Sequence, residues 1–121
     1  NEPFLTGEFG TILKPARALE GVVTQVSDNE IMDAKAQVDA SGIGAEPASC
    51  ATVAGLKRLI KEGVIAKNET VVGVLTGNLL KDPDVVVGYH TNTLEGIESA
   101  RANAPAKAPA DVEAIRRLIN S

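Results

Sequence analysis

The chain has 121 residues, a mass of 12.6 kDa and a formal net charge of -4, with 44% of its residues hydrophobic and only Phe4, Phe9 and Tyr89 aromatic. That length suits one domain with a small aliphatic core, and the intermixed acids and bases exclude the basic footprint of a protein that binds nucleic acid or an anionic membrane. The single Cys50 excludes an intrachain disulfide, no apolar run approaches the roughly 18–20 residues of a membrane span, and no signal-peptide pattern is visible, so a cytoplasmic location is expected.

Residues 1–20 show no sustained period and read as a leader. Val22 to Val26 alternate as a strand that ends at Ser27. Ser27 followed by Glu30 forms a capping box, in which hydroxyl and carboxylate each satisfy a free amide of a first helical turn. Ile31, Ala34 and Val38 then share one face of a helix from about Asp28 to Ala40, which stops at the turn of Gly42 and Gly44. Pro47 has the fixed φ of a first helical residue, with Glu46 before it as the cap. Ala51, Val53, Ala54, Leu56, Leu59 and Ile60 form the buried side of this second helix, Lys57, Arg58, Lys61 and Glu62 its wet side, and Gly63 its end.

Thr70 to Leu75 are apolar on both sides, as in a strand covered by helices. The run closes on Thr76 and Gly77, and strand ends are where α/β proteins place ligands, so Thr76 is the residue set to point at one. Val85 to Val87 form a second short β-prone run leading to Tyr89 and His90. Residues 100–110 are rich in Ala and Pro and read as a linker, after which Val112, Ile115 and Ile119 align on a last helix. The predicted fold class is α/β, a three-layer partial parallel sheet flanked by helices, with residues 21–99 as the main unit and 100–121 as linker and terminal helix. Two or three strands for three helices make a marginal sheet. The chain is therefore expected to be part of something larger, or else to cover its sheet by oligomerisation.

The chemistry-bearing residues are few. His90 is the sole histidine, which rules out a histidine-based zinc site within the chain, and no metal ligand set is expected. Cys50, amid Ala51 and Val53, reads as a small buried hydrophobe rather than a nucleophile. Gly42 and Gly44 resemble half of a dinucleotide loop. The next residues, Glu46 and Pro47, place a carboxylate and a missing amide where a pyrophosphate needs donors, so nucleotide binding there is not expected.

Two motifs carry a resemblance. The run G-I-G-A-E-P-A-S-C-A-T-V-A-G-L-K-R-L from Gly42, followed by V-V-G-V-L-T-G-N-L-L-K-D-P-D from Val71 and the later Y-H, resembles the carboxyl-terminal portion of threonine synthase. That family consists of pyridoxal-phosphate enzymes of the tryptophan-synthase-β-like fold, also called PLP fold type II. The likeness runs from about Gly21 to His90 and extends compatibly over residues 110–118. Related dehydratases share E-P and a shorter strand-end motif, whereas the L-K-D-P continuation favours threonine synthase.

The resemblance implies a pyridoxal 5'-phosphate enzyme that converts O-phospho-L-homoserine and water to L-threonine and phosphate, with the cofactor stabilising carbanions. Thr76 matches the hydroxyl residue facing the pyridine nitrogen, and Gly77 allows the backbone to pass close to the ring. Glu46 belongs to the loop near the cofactor, where it touches cofactor, substrate or only helix amides. The Schiff-base lysine and the phosphate-cradling loop of such enzymes have no match in this chain, so no catalytic residue is assigned and the chain alone is expected to be inactive. Lys81 matches the lysine of the K-D-P segment and is expected to pair with Asp82 or Asp84. A missing amino-terminal part of the enzyme, or another copy of the chain in a homodimer, is the implied partner. The alternatives are a threonine/serine dehydratase-like enzyme and a non-catalytic binding or structural module of the same fold.

Overall fold

The computed structural model describes residues 18–120. Most of the leader therefore lies outside the described residues.

Helix α1, Asp28–Ala40, begins at the capping box read from the sequence. The Glu30 amide donates to Ser27 Oγ at 3.3 Å, and the Ser27 amide donates to Glu30 Oε2 at 2.8 Å. Helix α2, Pro47–Lys61, has Pro at its start and ends before Gly63, whose φ of 75° favours a residue without Cβ. The core between these helices is built from small residues, with Ala34 and Val38 of α1 against Cys50 and Ala54 of α2 and with Ala45 of the intervening turn. Small side chains let the two backbones approach closely, and Cys50 is fully buried there as a hydrophobe.

The opposite side of α1 buries Met32 and Ala36 against Tyr89 of helix α3, Pro83–His90. The β-prone reading of Val85 to Val87 is corrected by this helix. Pro83 starts it in a conformation suited to a helix, and burial of Tyr89 against Met32 and Ala36 of α1 outweighs the strand preference of three valines. Tyr89 then anchors the chain beyond α3: its hydroxyl donates to Asp33 Oδ1 at 2.5 Å and accepts from the Arg101 amide at 3.1 Å. His90 Nδ1 accepts from the Asn103 amide at 2.9 Å, so the sole histidine holds down the same strap. Helix α4, Val112–Ile119, is capped by Asp111 and leaves Val112, Ile115 and Ile119 exposed.

The three-layer sheet is not formed among the described residues, whose single β-bridge joins Ala45 and Asn78. Residues 22–26 and 70–75, both read as strands, lie on the same face of α2 without bonding to each other. Thr24 sits against Gly55, while Gly73 and Val74 lie against Thr52, whose hydroxyl donates to Val74 O at 3.4 Å. A strand exists only by virtue of a ladder partner, and these two segments have none among the described residues. Val22, Val72 and Val74 are exposed as a result, and Val53, Leu56 and Leu59 are only half-buried. A groove of about 360 Å³ opens between the segments over Leu56, Leu59 and Ile65.

On the wet side of α2, Lys57, Lys61 and Glu62 are exposed as expected, and Lys57 and the half-buried Arg58 also bond to α1. Arg58 Nη2 donates to both carboxylate oxygens of Glu30 at 2.8 and 2.9 Å, and Lys57 Nζ donates to Gln37 Oε1. Lys35 was not singled out by its sequence context, yet it is 1% exposed, with Nζ 2.9 Å from Asp39 Oδ2 and 2.7 Å from Ala45 O. It closes the turn that leads into α2.

These ties have two measurable outcomes. The Ser27 amide, the Arg58 guanidinium and the Ser27 hydroxyl together pull the Glu30 carboxyl from 4.5 to about 2. A depressed carboxyl contributes stability above its ordinary value that is lost as pH falls through its folded value. Thermal unfolding of the wild type should therefore decline between pH 4.5 and about 2 by a component absent from E30Q, and equal pH dependence in the two proteins would contradict the assignment. Replacing Lys35 with Met removes the charge facing a part-buried Asp39, and should cost about 3 kcal/mol in urea unfolding. A loss under about 1 kcal/mol would mean that the pair is not structural.

Candidate functional site

The two sequence motifs meet where the start of α2 touches the end of the 70–77 segment. Glu46 occupies the residue before α2, and its amide donates to Gly77 O at 3.1 Å, beside the Ala45–Asn78 bridge. Asn78 begins a short 3₁₀ turn, Leu79–Lys81, by accepting from the Leu80 amide at 2.9 Å. That turn brings Lys81 back over Glu46.

Glu46 stands at the cap position but forms no capping hydrogen bond with its side chain. Instead the carboxylate of this buried residue lies 2.5 Å from Lys81 Nζ and accepts from Ser49 Oγ at 3.4 Å. This corrects two readings at once: Glu46 is not a side-chain cap, and Lys81 pairs with it rather than with Asp82 or Asp84. The Lys81 ammonium holds the Glu46 carboxyl below its ordinary value against the opposing effect of burial, with smaller help from the hydroxyls of Ser49 and Thr76. Glu46 raises the Lys81 ammonium in return. At neutral pH the site thus contains an ionised carboxylate that only accepts hydrogen bonds.

Thr76 is exposed, with its oxygen 3.1 Å from Ser49 Oγ and its amide donating to the same oxygen at 2.9 Å. The Gly77 amide also donates to Ser49 Oγ at 2.9 Å. Gly77 has a further local reason to be glycine, since a Cβ there would run into the Glu46 side chain, 2.6 Å from its Cγ. Glu46, distant in sequence, is therefore brought together with the adjacent Thr76 and Gly77.

Ser49 is the functional candidate that the sequence reading missed. It is 3% exposed and binds all three of the others. Its signal was available, because it follows Glu46 by three residues at the start of a helix and so shares that residue's side of the turn. The arrangement as a whole presents one exposed hydroxyl, fixed at its base and flanked by a neutralised carboxylate. It can hold an acceptor atom of a ligand and keep a buried anion from repelling that atom. Among the described residues no group of three or more His, Cys, Asp or Glu side chains is placed to hold a metal ion.

A heteroaromatic ring with an acceptor nitrogen fits the exposed Thr76 hydroxyl. Nothing here supplies a cradle for its phosphate: the Glu46 amide, at the start of α2, is already engaged by Gly77 O. These residues fit the ring-nitrogen side of pyridoxal phosphate alone.

No protein-family model matches the chain. Curated proteins do. A threonine synthase of Methanosarcina acetivorans is 39% identical over 108 residues, which cover 88% of this chain and 24% of that protein. Another from Halalkalibacterium halodurans is 45% identical over 76 residues, 62% of this chain and 22% of the relative. A third, from Methanocaldococcus jannaschii, is 34% identical over 100 residues, 82% of this chain and 22% of the relative. No described helix is long and apolar enough to cross a membrane. The chain is similar to a segment of threonine synthase and spans less than a quarter of the length of these curated relatives.

Proposed function

We propose that the whole protein is a pyridoxal-phosphate-dependent threonine synthase that converts O-phospho-L-homoserine and water to L-threonine and phosphate in the cytoplasm. The observation that carries this reading is the convergence of E-P-A-S and L-T-G-N-L-L-K-D-P on one exposed hydroxyl, in a chain up to 45% identical to threonine synthases. The rest of the enzyme, with its cofactor-binding lysine and phosphate cradle, would complete both the site and a type II sheet in which residues 22–26 and 70–75 are strands. A homodimer is the assembly we propose for it.

When bound, the cofactor supplies the electron sink that phosphate loss from Cγ and water addition at Cβ require. Thr76 would hold the ring nitrogen through its hydroxyl. Glu46 contributes through position and charge: its carboxylate fills the space beside Gly77, and Lys81 neutralises it, so the ring meets a hydroxyl and a balanced pair rather than a bare anion. A carboxylate in direct contact would hold the ring nitrogen protonated, whereas a hydroxyl donor suits an unprotonated one. Lys81 thereby has a structural task in the segment that favours threonine synthase over dehydratases.

Assay of the full-length protein with phosphohomoserine tests the reaction, and turnover of threonine or serine in its place would assign a dehydratase. Replacing Thr76 with Val should leave the fold intact and lower turnover about five- to tenfold, the equivalent of a lost hydrogen bond of about 1 kcal/mol or slightly more. Wild-type turnover in folded T76V would remove Thr76 from the site.

A further inference from the structure

Ser49 Oγ has two lone pairs and one proton, as every serine hydroxyl does. The amides of Thr76 and Gly77 both donate to it at 2.9 Å, which takes both lone pairs. Ser49 therefore cannot also accept the Thr76 hydroxyl proton. Its own proton has two acceptors in reach, Thr76 Oγ1 at 3.1 Å and Glu46 Oε1 at 3.4 Å. The second distance is at the limit of a hydrogen bond, and the Glu46 charge is already taken up by Lys81 at 2.5 Å. Whichever of the two takes the Ser49 proton, the filled lone pairs of Ser49 leave the Thr76 proton to be donated away from it.

We propose that Ser49 is a positioning residue that fixes the exposed Thr76 hydroxyl as a hydrogen-bond donor, so that the site selects a ligand atom with a free lone pair, an unprotonated ring nitrogen. This rests on the reading of Thr76 as the residue facing that nitrogen. One buried oxygen does two jobs here: it holds the Thr76–Gly77 backbone against α2, and it sets the direction in which the next hydroxyl donates. The Glu46 carboxylate draws on the Thr76 hydroxyl as well, and it is the acceptor that a ring nitrogen would displace.

The test uses the full-length protein loaded with pyridoxal phosphate labelled with ¹⁵N at the ring nitrogen, comparing wild type, S49A, S49T, T76V and the S49A/T76V double variant. Cofactor affinity and the ¹⁵N shift are the readouts. The wild type should show an unprotonated ring nitrogen. S49A should bind the cofactor about tenfold more weakly, S49T should restore affinity, and the double variant should bind no more weakly than the weaker single variant, since Ser49 acts through Thr76. If S49A fails to fold, S49C takes its place, because a thiol fills the site yet is a poor acceptor. A protonated ring nitrogen in the wild type, wild-type affinity in S49A or S49C, or additive losses in the double variant would each overturn the proposal. If instead T76V itself has wild-type affinity and an unchanged shift, the reading of Thr76 is what fails.

Discussion

The oxygen of Ser49, buried at the first turn of α2, accepts the amides of both Thr76 and Gly77. Everything proposed for the site depends on that pair of bonds, because no described helix holds Thr76 and the residues before it have no ladder among the described residues. The tie works only if α2 is itself fixed, and α1 does that. A core of Ala34, Val38, Cys50 and Ala54 sets the two helices close, while the Glu30–Arg58 pair spans their outer edge. Lys35 pins the turn between them through Ala45 O, one residue before Glu46. Helix capping, small-residue packing and a buried ammonium thus converge on the placement of one exposed hydroxyl.

The other side of α2 shows what this piece lacks. Val53, Leu56 and Leu59 form a half-covered apolar stripe, crossed by two segments whose valines, Val26 apart, are exposed. Gly55 and Gly73 mark where these segments come nearest the helix, with Thr24 and Thr52 filling the contacts. A sheet strand placed there would gain backbone hydrogen bonds and cover apolar surface together, which is the ordinary way an α/β layer closes. The relatives, more than four times the matched length, have ample chain for this purpose.

The helices were legible because their signals are local. Ser27 with Glu30, Pro47, and Gly63 each fix a terminus by chemistry within one turn, and the observed bounds of α1 agree with them. The pattern of Val85 to Val87 misled because β-propensity reports fit to a sheet surface, and here the neighbouring surface is α1. The strands at 22–26 and 70–75 could not be judged from pattern alone, since a strand is completed by a partner that pattern does not name. The site was half legible. Glu46, Thr76 and Gly77 stood out by motif, but the partner of Lys81 and the part played by Ser49 depend on a contact between segments some 27 residues apart. Glu46 also looked like a cap from its position, and only the return of Lys81 over α2 shows why its carboxylate turns away from the helix amides.

Amide hydrogen exchange along residues 71–77 of this chain, followed by NMR, tests the central claim most directly. The amides of Val71, Val72, Gly73 and Val74 have no acceptor among the described residues, whereas those of Thr76 and Gly77 share Ser49 Oγ. The account predicts protection of Thr76 and Gly77 beside fast exchange at Val71 to Val74. Exchange at Thr76 and Gly77 as fast as at those four neighbours would contradict it.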